Sequence, residues 1–218
     1  MAEQELTHKK IFAVFLPAIL LGSLALFIQI VRYQPLFPTE ETTSETENKT
    51  LEITTLPDDP VLGNKRAPYT VIAFEDFSCG ACEAQHALFL ELQKQFPDKV
   101  KIIWKGLPVH DFPYPSIDAI RHGYCAAEQN KFNEFASFAF ANSTNLIQGT
   151  LAVIADEIAL DPADLTSCLS SSRPDENVGK NKQIAQILQV QSVPTFFVNN
   201  IQIETPQTIE DWKQLFGL

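Results

Sequence analysis

Basic side chains are scarce in this 218-residue chain: 16 Lys and Arg stand against 27 Asp and Glu, a formal charge of −11 and a pI near 4.8. With no positive excess there is nothing to release counterions from phosphates, which argues against nucleic acid as a partner. Methionine occurs once, at Met1. Soft copper sites usually draw on Met as well as Cys and His, so a metal-delivery site built on Cys79, Cys82 and His86 would lack its usual thioether. Four cysteines are too few for a small disulfide-framework scaffold, although an even number is compatible with two bridges in an oxidising compartment. Apolar residues make up 45% of the chain and include 16 Phe, enough to build a buried core rather than a disordered segment.

Charge is also missing from one long run. Residues 11–31 are uncharged, with Gln29 the only strongly polar member. As a helix the run would be about 31 Å long, close to the hydrocarbon thickness of a bilayer. Lys9, Lys10 and the amino terminus precede it and Arg32 follows, so the Lys/Arg bias predicts residues 1–10 in the cytoplasm and the remainder outside. The expectation is a single-pass anchor in the cytoplasmic membrane with the folded domain on its periplasmic or extracellular side. A cleaved signal peptide is the alternative, with Ser23-Leu24-Ala25 as a small-x-small site.

Residues 32–58 read as an acidic, Thr-rich linker. From Gln34 to Leu62 there are seven Thr and seven acidic residues against a single Lys, and self-repulsion keeps such a stretch extended and solvated. The folded domain is expected over 59–218.

From there strand and helix patterns alternate, an α/β arrangement. Residues 69–77 are β-branched and aromatic, as in a central strand. Residues 80–96 carry Ala84, Leu88, Leu92 and Phe96 at helical spacing, and Pro97 stops them. Residues 100–105 form the next strand of a right-handed βαβ unit. Near the other end, 195–198 and 201–204 flank Asn199-Asn200, a two-residue hairpin turn. A last helix is predicted from Pro206 behind an N-cap at Thr205. Between Cys82 and Pro194 lie far more residues than the roughly 30 needed to complete a βαβ unit. The excess is predicted to fold as helices over about 114–190: 116–129, 131–141, 150–159, 162–169 and 176–190.

Cys79-Gly80-Ala81-Cys82 sits where the first strand hands over to the first helix. A thiol at a helix N-terminus faces unpaired N–H groups and the positive end of the macrodipole, which favour the thiolate. Three-residue spacing puts both sulfurs on one side of the first turn, within reach of a small disulfide ring. Cys-x2-Cys is also half of many zinc sites. Completing one would need Cys125 and Cys168, which are 43 residues apart on separate predicted helices. His86 as a base is disfavoured, because it lies about 10 Å along the helix axis from Cys79; a partly exposed structural histidine is expected. His110 and His122 receive no role.

The segment DPVLGNKRAPYTVIAFEDFSCGAC, together with YCAAEQ at 124–129 and SVPTFFV at 192–198, resembles the DsbA-like branch of the thioredoxin superfamily over roughly residues 57–218. The resemblance implies a thioredoxin fold with an inserted helical domain, acting as a thiol-disulfide oxidoreductase outside the cytoplasm. It further implies that Cys79 is the exposed nucleophile and Cys82 the buried resolving thiol. Val193-Pro194 matches the family's cis-proline loop, which binds the substrate backbone, and some members carry a second disulfide, here Cys125–Cys168. Two buried free thiols are the alternative for that pair. No cofactor is expected. The expected partners are reduced secreted polypeptides and a quinone-linked membrane thiol oxidase, and a monomer is anticipated. Reductase or isomerase is the alternative direction on the same cysteines, and a Phe-rich holdase is a further reading. The chain departs from the family at Ala73, where members often hold a buried carboxylate six residues before the first cysteine. Glu75 shares a strand face with Ala73, and Asp76 points to the other face.

Overall fold

The computed structural model describes residues 17, 20–30, 52–111 and 113–218. The chain divides into two units, residues 1–49 and 50–218. In the first, residues 20–30 are helical and their Leu, Phe and Ile side chains are exposed. Among the described residues no helix is long and apolar enough to cross a membrane. The predicted span 11–31 lies only partly within those residues, while the stretch 1–10 and the linker from 32 to 51 lie outside them.

The second unit is built on five strands: β1 (Val61–Gly63), β2 (Tyr69–Glu75), β3 (Val100–Gly106), β4 (Thr195–Val198) and β5 (Ile201–Ile203). Their order is β1-β3-β2-β4-β5, with β2 and β3 parallel and every other pair antiparallel. Helix α1 (Gly80–Gln95) supplies the crossover between β2 and β3. The helical insertion comprises α2 (Ile117–Glu128), α3 (Phe132–Ala141), α4 (Gln148–Glu157), α5 (Pro162–Ser170) and α6 (Arg173–Ile187), and α7 (Ile209–Phe216) closes the chain.

Alternation along the strands divides the core. Val71, Ala73, Ile102, Trp104 and Phe196 face a large cluster shared with α1, α7 and the insertion. Ile72, Phe74 and Phe197 face a smaller one with Ile53, Leu107 and Ala185. Phe77 lies at the centre of the aromatic packing, its ring within 4.8 to 6.4 Å of Trp104, Phe132, Phe135 and Phe140.

Several boundaries differ from the sequence reading; the helix predicted over 176–190, for one, runs from Arg173 to Ile187. The packed unit begins ahead of Asp59: Ile53 is buried, its N–H donates to Asn200 Oδ1 at 3.0 Å, and Thr54 accepts from the buried Lys105 ammonium. Lys105 and Asp59 form an ion pair of 2.5 Å, and burial lowers the lysine's pKa while raising that of the aspartate. The last helix starts at Ile209, not Pro206, because Thr208 and Asp211 form a reciprocal capping box. Pro206 is used instead as an acceptor for Gln85 Nε2 at 2.6 Å. Strand β1 had no sequence signal, being three residues long after Pro60. The Asn199-Asn200 turn takes φ values of 51° and 63°, as a type I′ hairpin needs.

Candidate active site

Helix α1 begins at the C-terminal end of β2, and Cys79 is its N-cap. In extended geometry (φ −97°, ψ 113°), Cys79 turns its sulfur back over the first turn, where Sγ accepts from the Cys82 N–H at 3.2 Å. The Cys79 Sγ–H reaches the carbonyl of Val193 at 3.7 Å, and the Val193-Pro194 peptide bond is cis. Three distant segments therefore meet: the β2–α1 turn, the first helical turn and the loop before β4. Cys79 is 7% exposed and Cys82 is fully buried. The expected exposed nucleophile is thus mostly covered, because the Val193 loop closes over it. Both thiols are free.

The two sulfurs differ sharply in acidity. Cys79 is lowered to about 6, first by the interaction with the Cys82 side chain and then by the backbone N–H groups of Cys82 and Ala81, against burial and the Asp76 charge. Burial pushes Cys82 far upward, reinforced by Cys79 and Glu75. One thiolate and one protonated thiol is the resulting reduced state.

Two carboxylates flank the pair, both fully buried. Asp76 accepts from the N–H groups of Ser78 and Val109, from Ser116 Oγ and from His110 Nδ1, at 2.9, 2.8, 2.7 and 3.3 Å. It thereby pins the segment after β3 to the redox turn. His110, to which the sequence assigned nothing, keeps its side chain 43% exposed beside this turn. Its signal was absent because its partner lies 34 residues away. Glu75 lies on the Ala73 face, and neither of its oxygens has a hydrogen-bond partner. Burial raises it to about 8, followed by the Cys79 charge, with the Trp104 ring N–H offsetting part of the rise.

The remaining sequence candidates lie elsewhere. His86 is buried rather than partly exposed: Nε2 sits 3.3 Å from Ser137 Oγ, its ring stacks on Phe140 at 4.7 Å, and burial lowers it to about 4. It packs into α3 and does not join the cysteines. Cys125 and Cys168 form a disulfide between α2 and α5. Among the described residues no group of three or more His, Cys, Asp or Glu is arranged to hold a metal ion.

A fold with a central mixed sheet, a Cys-x2-Cys helix start and a facing cis-proline loop defines a thioredoxin-like protein. The chain belongs to the thioredoxin family, whose sequence profile matches residues 55–216. A Na(+)/H(+) antiporter NhaA 3 from Salinispora tropica is 31% identical over 153 residues, 70% of this chain and 23% of that protein. A Rickettsia typhi protein named as a protein-disulfide oxidoreductase is 26% identical over 155 residues, 67% of this chain and 56% of the relative. The chain thus spans about a quarter of the antiporter and just over half of the Rickettsia protein. The crystal structure of a thioredoxin-like oxidoreductase from Silicibacter pomeroyi superposes with a TM-score of 0.65 at 23% identity, covering 73% of this chain and 90% of that one.

Proposed function

We propose that the chain is an extracytoplasmic thiol-disulfide oxidoreductase that introduces disulfides into reduced secreted polypeptides through Cys79 and Cys82. The observation that carries this reading is the contrast between the two sulfurs, one acidic at a helix N-terminus against the Val193 carbonyl, the other buried and protonated.

In the oxidising direction a substrate thiolate attacks Cys79 Sγ of the Cys79–Cys82 disulfide. That bond breaks with its electron pair going to Cys82, and a mixed disulfide joins Cys79 to the substrate. A second substrate thiolate attacks the substrate sulfur and expels Cys79 as its stabilised thiolate. The substrate leaves with a disulfide, and the enzyme's pair is reduced by two electrons. A quinone-linked membrane thiol oxidase is the proposed partner that restores it, and no cofactor is needed.

The uncharged run 11–31 supports a membrane anchor, and the Lys/Arg bias supports placing the catalytic domain outside. Recovery of the full chain in the membrane pellet after an alkaline carbonate wash is expected; a soluble product beginning near Leu26 would replace the anchor with a signal peptide.

Oxidase and reductase share every step, so the direction depends on relative potentials. Equilibration of Cys79–Cys82 with a glutathione buffer decides it. A potential above about −200 mV is expected for an oxidase, whereas one near about −270 mV would reverse the assigned direction. Gly80-Ala81 between the cysteines offers no imidazole to the thiolate, which favours a site less oxidising than the strongest members of the group.

A further inference from the structure

Away from the redox cysteines, the insertion buries an amide that nothing in the fold answers. Asn177, near the start of α6, is 7% exposed, and its side chain makes no hydrogen bond among the described residues. Asn181, one turn further on, is buried too, but it donates to Tyr124 Oη at 2.5 Å and to the Gly106 carbonyl at 3.3 Å. Helix α6 thus turns two asparagines inward, and only the second is held by the protein itself. Burying an unpaired amide costs stability, so Asn177 weakens the fold unless a molecule entering from solvent bonds to it.

Asn177 lines a cavity of about 310 Å³ enclosed by residues 57–61, the end of α2 and the start of α3, a volume at the small end of ligand sites. A second unpaired atom belongs to the same lining. Asp59, with its side chain 2% exposed, spends Oδ2 on the Leu56 N–H and the Lys105 ammonium, while Oδ1 accepts nothing. Nearer solvent, Asp58, Asn130 and Asn133 line the cavity with side chains that are also free of hydrogen bonds among the described residues. The charges cancel. Asp59 is paired with Lys105, Glu128 with Arg173 through two bonds of 2.9 Å, and the lining Asp58 is balanced by the lining Lys65. A ligand with net charge gains little in such a place, and among the described residues no group of three or more His, Cys, Asp or Glu is arranged for a metal ion. What remains free is a mixture of carboxylate and amide oxygens that accept and amide N–H groups that donate. A hydroxyl does both without a charge, so a molecule carrying several hydroxyls matches the array, while Pro60 and Phe132 give it an apolar wall.

We propose that this cavity binds a neutral, hydroxyl-rich molecule of monosaccharide size, with Asn177 and Asp59 as its inner anchors. Asn177 Nδ2 donates to one ligand hydroxyl and Asn177 Oδ1 accepts from its neighbour, as a side-chain amide can do at once. Asp59 Oδ1 accepts from a further hydroxyl while Lys105 keeps the carboxylate charge compensated. Asn133 and Asp58 take the end of the ligand nearer solvent. Neither redox cysteine takes part, so the site holds whichever way electrons flow at Cys79–Cys82. A bound molecule joins the segment leading into β1 to α3 and α6, and its occupancy stabilises the folded domain by mass action.

Nitrogen-edited NMR of the full chain in a sugar-free detergent tests this, with D-glucose, N-acetyl-D-glucosamine and myo-inositol as titrants and glycine and calcium chloride as controls. At least one of the three polyols is expected to shift the side-chain amide signals of Asn177 and Asn133 saturably at millimolar concentration. Asn177→Leu, which leaves no amide to pair, should weaken that binding about tenfold through the two hydrogen bonds it removes. Should Asn177→Leu not fold, the exposed Asn133→Ala takes its place, with a several-fold loss of affinity expected and an unchanged affinity contradicting the proposal. No saturable shift with any of the polyols would overturn it, as would binding that persists undiminished in Asn177→Leu. A saturable response to calcium or to glycine alone would assign the cavity to a cation or a zwitterion and overturn it equally.

Discussion

Glu75 and Cys79 pull the pH dependence of stability in opposite directions. Glu75 rises from its ordinary 4.5 to about 8, so the reduced folded chain holds a proton that the unfolded chain has released. Its contribution is fully present below pH 4.5 and is lost as pH climbs towards 8. Cys79 falls from 9 to about 6, and its contribution is fully present above pH 9 and lost as pH falls through 6. Glutamine at position 75 removes only the first effect. Urea unfolding of the reduced protein is therefore expected to give Glu75→Gln and wild type similar stability at pH 4.5. At pH 8 the variant should be more stable by on the order of 4 kcal/mol, since each tenfold change in proton affinity between folded and unfolded chain is worth roughly 1.4 kcal/mol. Equal stabilities at both pH values would show that burial does not hold the carboxyl neutral. At this scale the sequence was uneven. The Cys79-x2-Cys82 pair was legible because strand-to-helix placement and spacing carry the chemistry themselves. Alternation gave the face of Glu75, but not its complete burial, since that depends on what β3 and the loop beyond it bring alongside.

Among the elements, β2, α1 and β3 were legible to within two residues, because period-2 and helical patterns coincide there with clear stops. Thr205 misled because Pro at the first helical position is a weaker signal than the reciprocal Thr208–Asp211 cap three residues on. The helix predicted to run through Ala159 stops at Glu157, where Ala159 turns to φ 53° without the glycine that would have marked it. Close packing inside β3 was equally silent in the sequence. A Cβ on Gly106 would lie 2.5 Å from Trp104 Cη2 and 2.6 Å from Ile120 Cγ2, and Gly106 pairs with Glu75 in the sheet. Gly106→Ala is expected to cost about 1 to 3 kcal/mol through overpacking, read as a lowered thermal midpoint. A midpoint at or above the wild type would mean that the Trp104 ring yields easily.

Across the whole molecule, the excess of chain between Cys82 and Pro194 announced a helical insertion before any of its contacts were known. The Cys125–Cys168 bridge closes a long loop within that insertion, and both sulfurs are buried. Replacing both residues with alanine should cost about 4 kcal/mol in the chain-entropy account for a loop of about 44 residues. Exchange at Cys79–Cys82 should survive wherever the variant remains folded. Loss of redox activity in a folded double variant would mean that the second bridge takes part in electron transfer.

Trapping through the resolving cysteine tests the central claim most directly. With Cys82→Ser, the acidic Cys79 attacks a substrate disulfide and cannot be released by its neighbour. Mixed disulfides that dissolve on reduction should accumulate, and they should vanish when Cys79 is replaced by serine as well. Adducts that persist without Cys79, or that form only through Cys82, would contradict the account.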